Sequence, residues 1–261
     1  MQSKERLQER KKDSLNCKKN KEVLIFKNAD EMSDFTISKW AEISEGAIKS
    51  KGRFEVAISG GKTPEKLYQK LSGFKRPLPW DKTHIFLVDE RFVSHKSNES
   101  NYRMINQLLL KHVKIPKENI HPIPVEEKTS QASAKKYEQN LISYFKLARG
   151  GFPMFDLIFL GIGEDGHTAS LFPDTPALKG PQHMATAVMP EEMSKHKRIT
   201  LTFPVINNAK NIIFLVTGSN KAKVVKEILE EKNSVLPAAR IKPKDGKLFF
   251  LLDKGAASYL K

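Results

Sequence analysis

Asp165 and His167 stand two residues apart in the stretch DLIFLGIGEDGHTASLF, Asp156 to Phe172, inside a glycine-flanked turn. At that spacing a carboxylate can orient an imidazole and stabilise its protonated form, which makes a general base for work near neutral pH. His84, His95, His112, His121, His183 and His196 have no comparable surroundings. Gly161, Gly163 and Gly166 also spell G-x-G-x-x-G, the phosphate fingerprint of dinucleotide folds. Here, however, Glu164 and Asp165 occupy the place that would face the pyrophosphate and would repel it. The ribose-binding acid expected about 20 residues further on is missing from KGPQHMATAV. The turn therefore reads as a place for proton transfer rather than for NAD.

Two other stretches carry chemistry. In ISGGKTPEKLY, Gly60 and Gly61 let backbone N–H groups turn inward, Ser59 and Thr63 add hydroxyls, and Pro64 suits the first turn of a helix whose dipole favours anions. With Lys62 these residues form an anion cradle, or else a capped turn with no ligand; the Walker A pattern is absent. In FLVDERFVSHKSNESNYRM, Asp89, Glu90 and Arg91 end an apolar run, where charges are costly unless paired or used. The plainer alternative has Asp89 capping a turn and Arg91 pairing with Glu90. Arg198 in RITLTFPVIN and Lys221 in VTGSNKAKVV would suit a phosphate, although either could be a solvated cation. The sequence has no H-E-x-x-H, cysteine cluster or G-x-S-x-G, so neither a required metal nor a serine nucleophile is expected.

These residues need elements to hold them. Apolar runs at VLIF, FEVAIS, THIFLVDE, FDLIFLGIG, NIIFLVTG and KLFFLLD read as strands. Helical patterns cover 30–49, 64–71, NYRMINQLLLKHV, 130–147, KAKVVKEILEE and a short KGAASYL. Continuous rather than alternating strands imply a sheet covered on both faces, and the alternation with helices implies right-handed βαβ units. The expected fold is α/β, a doubly wound, mostly parallel sheet with helices on both faces. Residues 1–22 are expected to be a basic tail, frayed or flexible, and 23–261 a single catalytic domain. In such sheets ligands bind beyond the carboxyl ends of the strands, so the loops after Ser59, Val88, Leu160 and Val216 should converge.

No apolar run approaches the ~18 residues of a membrane helix, so a soluble protein is expected. The first 21 residues lack a secretory apolar core, and Glu5, Glu9 and Asp13 speak against a transit peptide. Cys17, the only cysteine, can form no intramolecular disulfide, which suits the cytoplasm. A net charge of +15 favours anionic partners. No nucleic-acid motif accompanies it, and the loops mix acids with cations, so neither nucleic acid nor membrane is expected as a partner.

SGGKTPEKLY, VDERFV followed by SNESNYRM, LGIGEDGHTASLFPDTPAL, RITLTFPVIN and LPAARI occur in this order. From about Val23 to the C-terminus the chain thereby resembles the 6-phosphogluconolactonases of the glucosamine-6-phosphate isomerase/6-phosphogluconolactonase family. The resemblance implies the isomerase-related Rossmann-like fold and hydrolysis of a small phosphorylated sugar lactone, 6-phosphoglucono-δ-lactone, to 6-phosphogluconate without a cofactor. That reaction is the second step of the oxidative pentose phosphate pathway. It implies His167 as the base that activates water, Asp165 as its support, Arg91 close to the lactone or its phosphate, and Asp89 shaping the site. Ser59, Gly60, Gly61, Lys62 and Thr63 would form the phosphate loop, joined by Arg198 and Lys221. Lys62 departs from the small hydroxyl residue often found in relatives. The isomerase branch typically reads D-E-Y at 89–91 and carries an acid five residues after the histidine, where this chain has Phe172. A glucosamine-6-phosphate isomerase or deaminase and a non-catalytic sugar-phosphate binder stand as alternatives, and a monomer or weak homo-oligomer is expected.

Overall fold

Val, Ile, Leu and Phe dominate the runs that form strands, and in the computed structural model, which describes residues 20–178, 183–189 and 196–261, most of these runs lie inside one parallel sheet. The strands are β1 (Lys21–Phe26), β2 (Phe54–Ile58), β3 (Thr83–Leu87), β4 (Asp89–Arg91), β5 (Ile120–His121), β6 (Leu157–Leu160), β7 (Ala185–Val188), β8 (Arg198–Leu201), β9 (Asn211–Val216) and β10 (Lys247–Asp253). The helices are α1 (Ala29–Lys51), α2 (Lys62–Ser72), α3 (Asn101–Leu108), α4 (Ser130–Phe145), α5 (Phe203–Ile206) and α6 (Ala222–Glu230). Seven strands pair in the order β1-β10-β9-β6-β2-β3-β5, every neighbouring pair parallel. β4, β8 and β7 make a second, antiparallel sheet.

The strand order locates the site. From β2 the chain winds outward to β3 and β5, whereas from β6 it winds the other way to β9 and β10, so the direction reverses between β2 and β6. Helices of right-handed crossovers change face there, which opens a crevice at the carboxyl ends of β2 and β6. Both strands are buried along their whole length. Trp40 of α1, fully buried, packs its indole edge-on against Phe54 and also against Phe159. Asn28 caps the start of α1 by accepting from the Glu31 amide, and Gly52, left-handed at φ 80°, closes its end. Two buried tyrosines hold the strand ends: Tyr68 donates to the Ser59 carbonyl at 2.6 Å and Tyr137 to that of Leu87 at 2.8 Å.

Several boundaries differ from the pattern in the sequence. β1 begins at Lys21, two residues before Val23, while 1–19, including Cys17, lie outside the described residues. The apolar run from Thr83 to Glu90 is two strands rather than one. Val88 still donates to Ile58 O at 3.0 Å, but its own carbonyl accepts from Leu201 N at 2.9 Å, and the chain then passes into the antiparallel sheet. A sheet buried on both faces has no partners for Asp89 and Glu90, and the crossing supplies them. The helix expected over NYRMINQLLLKHV stops at Leu108, followed by a 3-10 turn at Leu110–His112. KGAASYL forms successive turns instead of a helix, with Ala256 N bonding the Asp253 carboxylate at 2.7 Å.

Candidate active site

The loops after β2 and β6 meet at the crevice. Ser59 is buried, and its hydroxyl donates to Phe159 O at 2.8 Å, so its hydrogen ties the two strands together rather than pointing to a ligand. Gly60 is packed so closely on Asn101 that a Cβ would collide with its side chain. Gly61, at φ 98°, precedes α2, whose first turn receives no side-chain cap. An uncapped helix start of this kind suits an anion. The helix starts at Lys62, so Pro64 is its third residue; Lys62 is exposed and Thr63 Oγ1 lies 3.1 Å from Thr217 Oγ1.

At the end of β6 the glycines shape a turn that holds Asp165 and His167 together. Asp165 Oδ1 accepts from the His167 amide at 3.1 Å and lies 2.5 Å from Nδ1. Gly163 cannot carry a side chain, because the His167 ring and Asp165 carboxylate fill that space. Its N–H donates to His167 O at 2.8 Å, and its carbonyl accepts from Gly166 N at 3.1 Å. Gly166, left-handed at φ 80°, packs on Leu236 and accepts from Ala238 N at 3.0 Å, so the LPAAR turn braces the loop from outside. Partial burial pushes the Asp165 carboxyl up, but the hydrogen bonds and charge of His167 outweigh it and hold the group below the ordinary carboxylate value. With Nδ1–H committed to that carboxylate, Nε2 is the nitrogen left to take a proton.

Asp89 and Glu90 serve different ends. Asp89 is buried; its Oδ2 accepts from Ser170 Oγ at 2.6 Å, and its carbonyl accepts from Asn101 Nδ2 at 2.9 Å. Glu90 is fully buried and accepts from the amides of Arg91, Asn101 and Tyr102, each at 2.8 Å, and from Ser100 Oγ at 3.0 Å. Burial pushes the Glu90 carboxyl up against those bonds. It thus receives the Arg91 backbone, while the Arg91 guanidinium donates to Glu99 O at 2.7 Å. Arg91 Nε is buried with no hydrogen-bond partner among the described residues.

The β4–β8 register sets Arg91 directly opposite Arg198. Like charges across an antiparallel pair repel, and an anion bound between them would remove that cost. Burial pushes the Arg198 guanidinium down, with Asp89 opposing. Arg198 lies 5.5 Å from the centre of the Phe172 ring, whose centroid is 4.4 Å from that of His167, so these three side chains are neighbours.

Lys221 ends a 3-10 turn just before α6. Asp253 anchors that turn through Gly218 N at 3.1 Å, and Asn220 Nδ2 donates to Glu164 Oε1 at 2.6 Å, joining the lysine's turn to the turn that holds Asp165 and His167. Asn101, Ser170, Asn220 and Asp253 were not singled out from the sequence. Among the described residues no three His, Cys, Asp or Glu side chains gather in a way that would hold a metal ion.

A histidine held by a carboxylate, at the switch point of a parallel sheet and near two arginines that face each other, is an arrangement able to do acid–base chemistry on an anionic substrate within an α/β fold. The family model described as glucosamine-6-phosphate isomerases/6-phosphogluconolactonase matches residues 27–250, and the chain belongs to that family. It is 42% identical over 217 residues to the 6-phosphogluconolactonase of Synechocystis sp., covering 82% of this chain and 88% of the relative. With that of Nostoc sp. it shares 43% over 216 residues, again covering 82% and 88%. The structure of 6-phosphogluconolactonase from Trypanosoma brucei superposes with a TM-score of 0.81 at 32% identity, covering 92% of this chain and 98% of the other. A monomeric glucosamine-6-phosphate deaminase, with a TM-score of 0.76 at 22% identity over 91% and 99% of the chains, shares the fold.

Proposed function

We infer that the chain hydrolyses 6-phosphoglucono-δ-lactone to 6-phosphogluconate, the second step of the oxidative pentose phosphate pathway, with His167 as the general base. The observation that carries the reading is the 2.5 Å contact between His167 Nδ1 and Asp165 Oδ1 at the switch point of the sheet. The phosphate docks on the amides of Gly60 to Thr63 with Arg198 and Lys221, and Arg91 faces the lactone or its phosphate. Binding the remote phosphate becomes orientation of the carbonyl.

Nε2 of His167 takes a proton from water as the water oxygen bonds to the lactone carbonyl carbon. The carbonyl oxygen becomes an oxyanion, which a cation or backbone N–H stabilises. As the carbonyl re-forms, the bond from its carbon to the ring oxygen breaks, and the Nε2 proton passes to that oxygen as the sugar hydroxyl. The new carboxylic acid then ionises. Throughout, Asp165 stabilises the imidazolium without taking its proton.

We assign the reaction to one catalytic domain over 23–261, whose first and last strands pair along their length. It would act in the cytoplasm as a monomer or weak homo-oligomer. No helix among the described residues is long and apolar enough to cross a membrane. The test compares lactone loss in buffer and with protein, alongside ammonia release from glucosamine 6-phosphate. Acceleration of the first with no ammonia supports the reading. Ammonia release, or no acceleration by folded protein, refutes it.

A further inference from the structure

We propose that Phe172 is a positioning residue: its ring holds the His167 imidazole and the Arg198 guanidinium in one fixed relation, linking the base to the phosphate side of the site. The proposal rests on the lactonase reading above, which supplies the roles of the two groups.

The turn between His167 and Phe172 is pinned from several sides. Thr168 Oγ1 donates to Gly161 O at 2.9 Å, and Leu171 N donates to Thr168 O at 2.9 Å. Ser170 is fully buried, with its hydroxyl on Asp89 and its amide 3.2 Å from Thr200 Oγ1. Ala169 adopts φ 52°, a left-handed conformation that costs a residue with a Cβ of the order of 1 kcal/mol. Neighbouring contacts must therefore enforce this bend. Its effect is to bring Phe172 back beside the imidazole five residues earlier, with centroids 4.4 Å apart and planes 39° apart.

The imidazole needs that second support. Both hydrogen bonds from His167 end on the same oxygen, Asp165 Oδ1. One acceptor atom fixes Nδ1 but leaves the ring free to tilt about the Nδ1···Oδ1 direction, which moves Nε2. The His167 side chain is 30% exposed, so surrounding packing does not fully suppress that tilt. The tilted Phe172 ring, 4.4 Å away, does.

Arg198 has the complementary need. It is a long side chain standing opposite Arg91 across the strand pair. The Phe172 ring, 5.5 Å from its guanidinium carbon, gives it an electrostatically favourable surface. An aromatic ring also favours the imidazolium that forms during turnover, whereas an aliphatic side chain of similar volume offers neither charge an attractive face.

The test uses Phe172→Leu and Phe172→Tyr in the full chain. Phe172→Leu should lower kcat about 10-fold or more and raise KM, since small misplacements at a reacting centre cost up to ~100-fold. Phe172→Tyr keeps the ring and should remain within about 3-fold of wild type. In substrate-free protein the His167 ring-proton NMR resonances should shift in Phe172→Leu as the neighbouring ring current is lost, and return towards wild type in Phe172→Tyr. Should Phe172→Leu fail to fold, Phe172→Met takes its place in both measurements. Unchanged kcat and unchanged His167 resonances in the aliphatic variant would overturn the proposal, as would a Tyr variant as impaired as the aliphatic one. A wild type without lactonase activity would instead overturn the function, while the resonances would still show whether the Phe172 ring lies against His167.

Discussion

The roles proposed for Arg198 and Asp165 both depend on charge, and each can be tested by deleting it. Replacing Arg198 with Ala removes a cation from the proposed phosphate side and also relieves its opposition to Arg91. KM should therefore rise about 10-fold or more while stability changes little, as loss of a charge-assisted contact predicts. Steady-state kinetics with a melting curve check both; an unchanged KM would remove Arg198 from the phosphate site. Asp165 gives an effect on stability as well as on rate. Its carboxyl is held below the ordinary value of 3.8, partial burial being outweighed by the bonds from His167. A depressed carboxylate contributes stability that is present above its unfolded value and is lost as pH falls through the folded value. Asp165→Asn should thus melt with a shallower loss below about pH 4 than wild type, and should lower kcat about 100-fold by leaving the imidazole poorly oriented. Melting at stepped pH and initial rates test the two halves separately. Asp165 and His167 were legible because they lie in one turn. The need of Glu90 for a partner was legible but its partners were not: three of the four are backbone amides, which no choice of side chains signals.

Among the elements, β5 offers the clearest pH-sensitive joint. It is a two-residue edge strand on β3, and the pair is reinforced by the His84 Nδ1 to His121 Nε2 contact at 3.2 Å. That contact requires a neutral acceptor nitrogen. Burial pushes both imidazoles down, His121 to about 4, with the charge of His84 adding to the effect on His121. The unfolded chain therefore binds more protons than the folded one between pH 6.5 and about 4. Stability is full above that window and falls as the solution is acidified through it, by at most about 1.4 kcal/mol per pH unit for one proton. His121→Phe should flatten this part of the curve in chemical denaturation, and an unchanged slope would contradict the assignment. β5 is too short to carry a period, which is why no strand was expected there. The break at Val88 was hidden for another reason: the apolar run continues unbroken across the point where the chain leaves one sheet for the other.

At the scale of the molecule, alternating strands and helices predict a parallel sheet and a ligand site at its carboxyl edge; the segments after β2, β6 and β9 hold Ser59 to Thr63, Asp165 with His167, and Lys221, while Asp89 and Arg91 lie on β4 and Arg198 on β8 of the antiparallel sheet. What lies beyond sequence pattern is how these loops are fastened together. Ser59 meets Phe159 across 100 positions, Ser170 meets Asp89 across 81, and Asn220 meets Glu164 across 56. Each link depends on strand order, which local periodicity does not encode. The net charge of +15 favours anions without saying where one would bind; the register that sets Arg91 opposite Arg198 singles out one place suited to an anion. On the proposed reading, this organisation serves a proton transfer at His167 Nε2. The most direct measurement is kcat for lactone hydrolysis by wild type and His167→Ala, corrected for spontaneous hydrolysis and made on proteins of matched melting temperature. A fall of about 100-fold or more is predicted for the variant. A variant that keeps near-normal turnover would contradict the account.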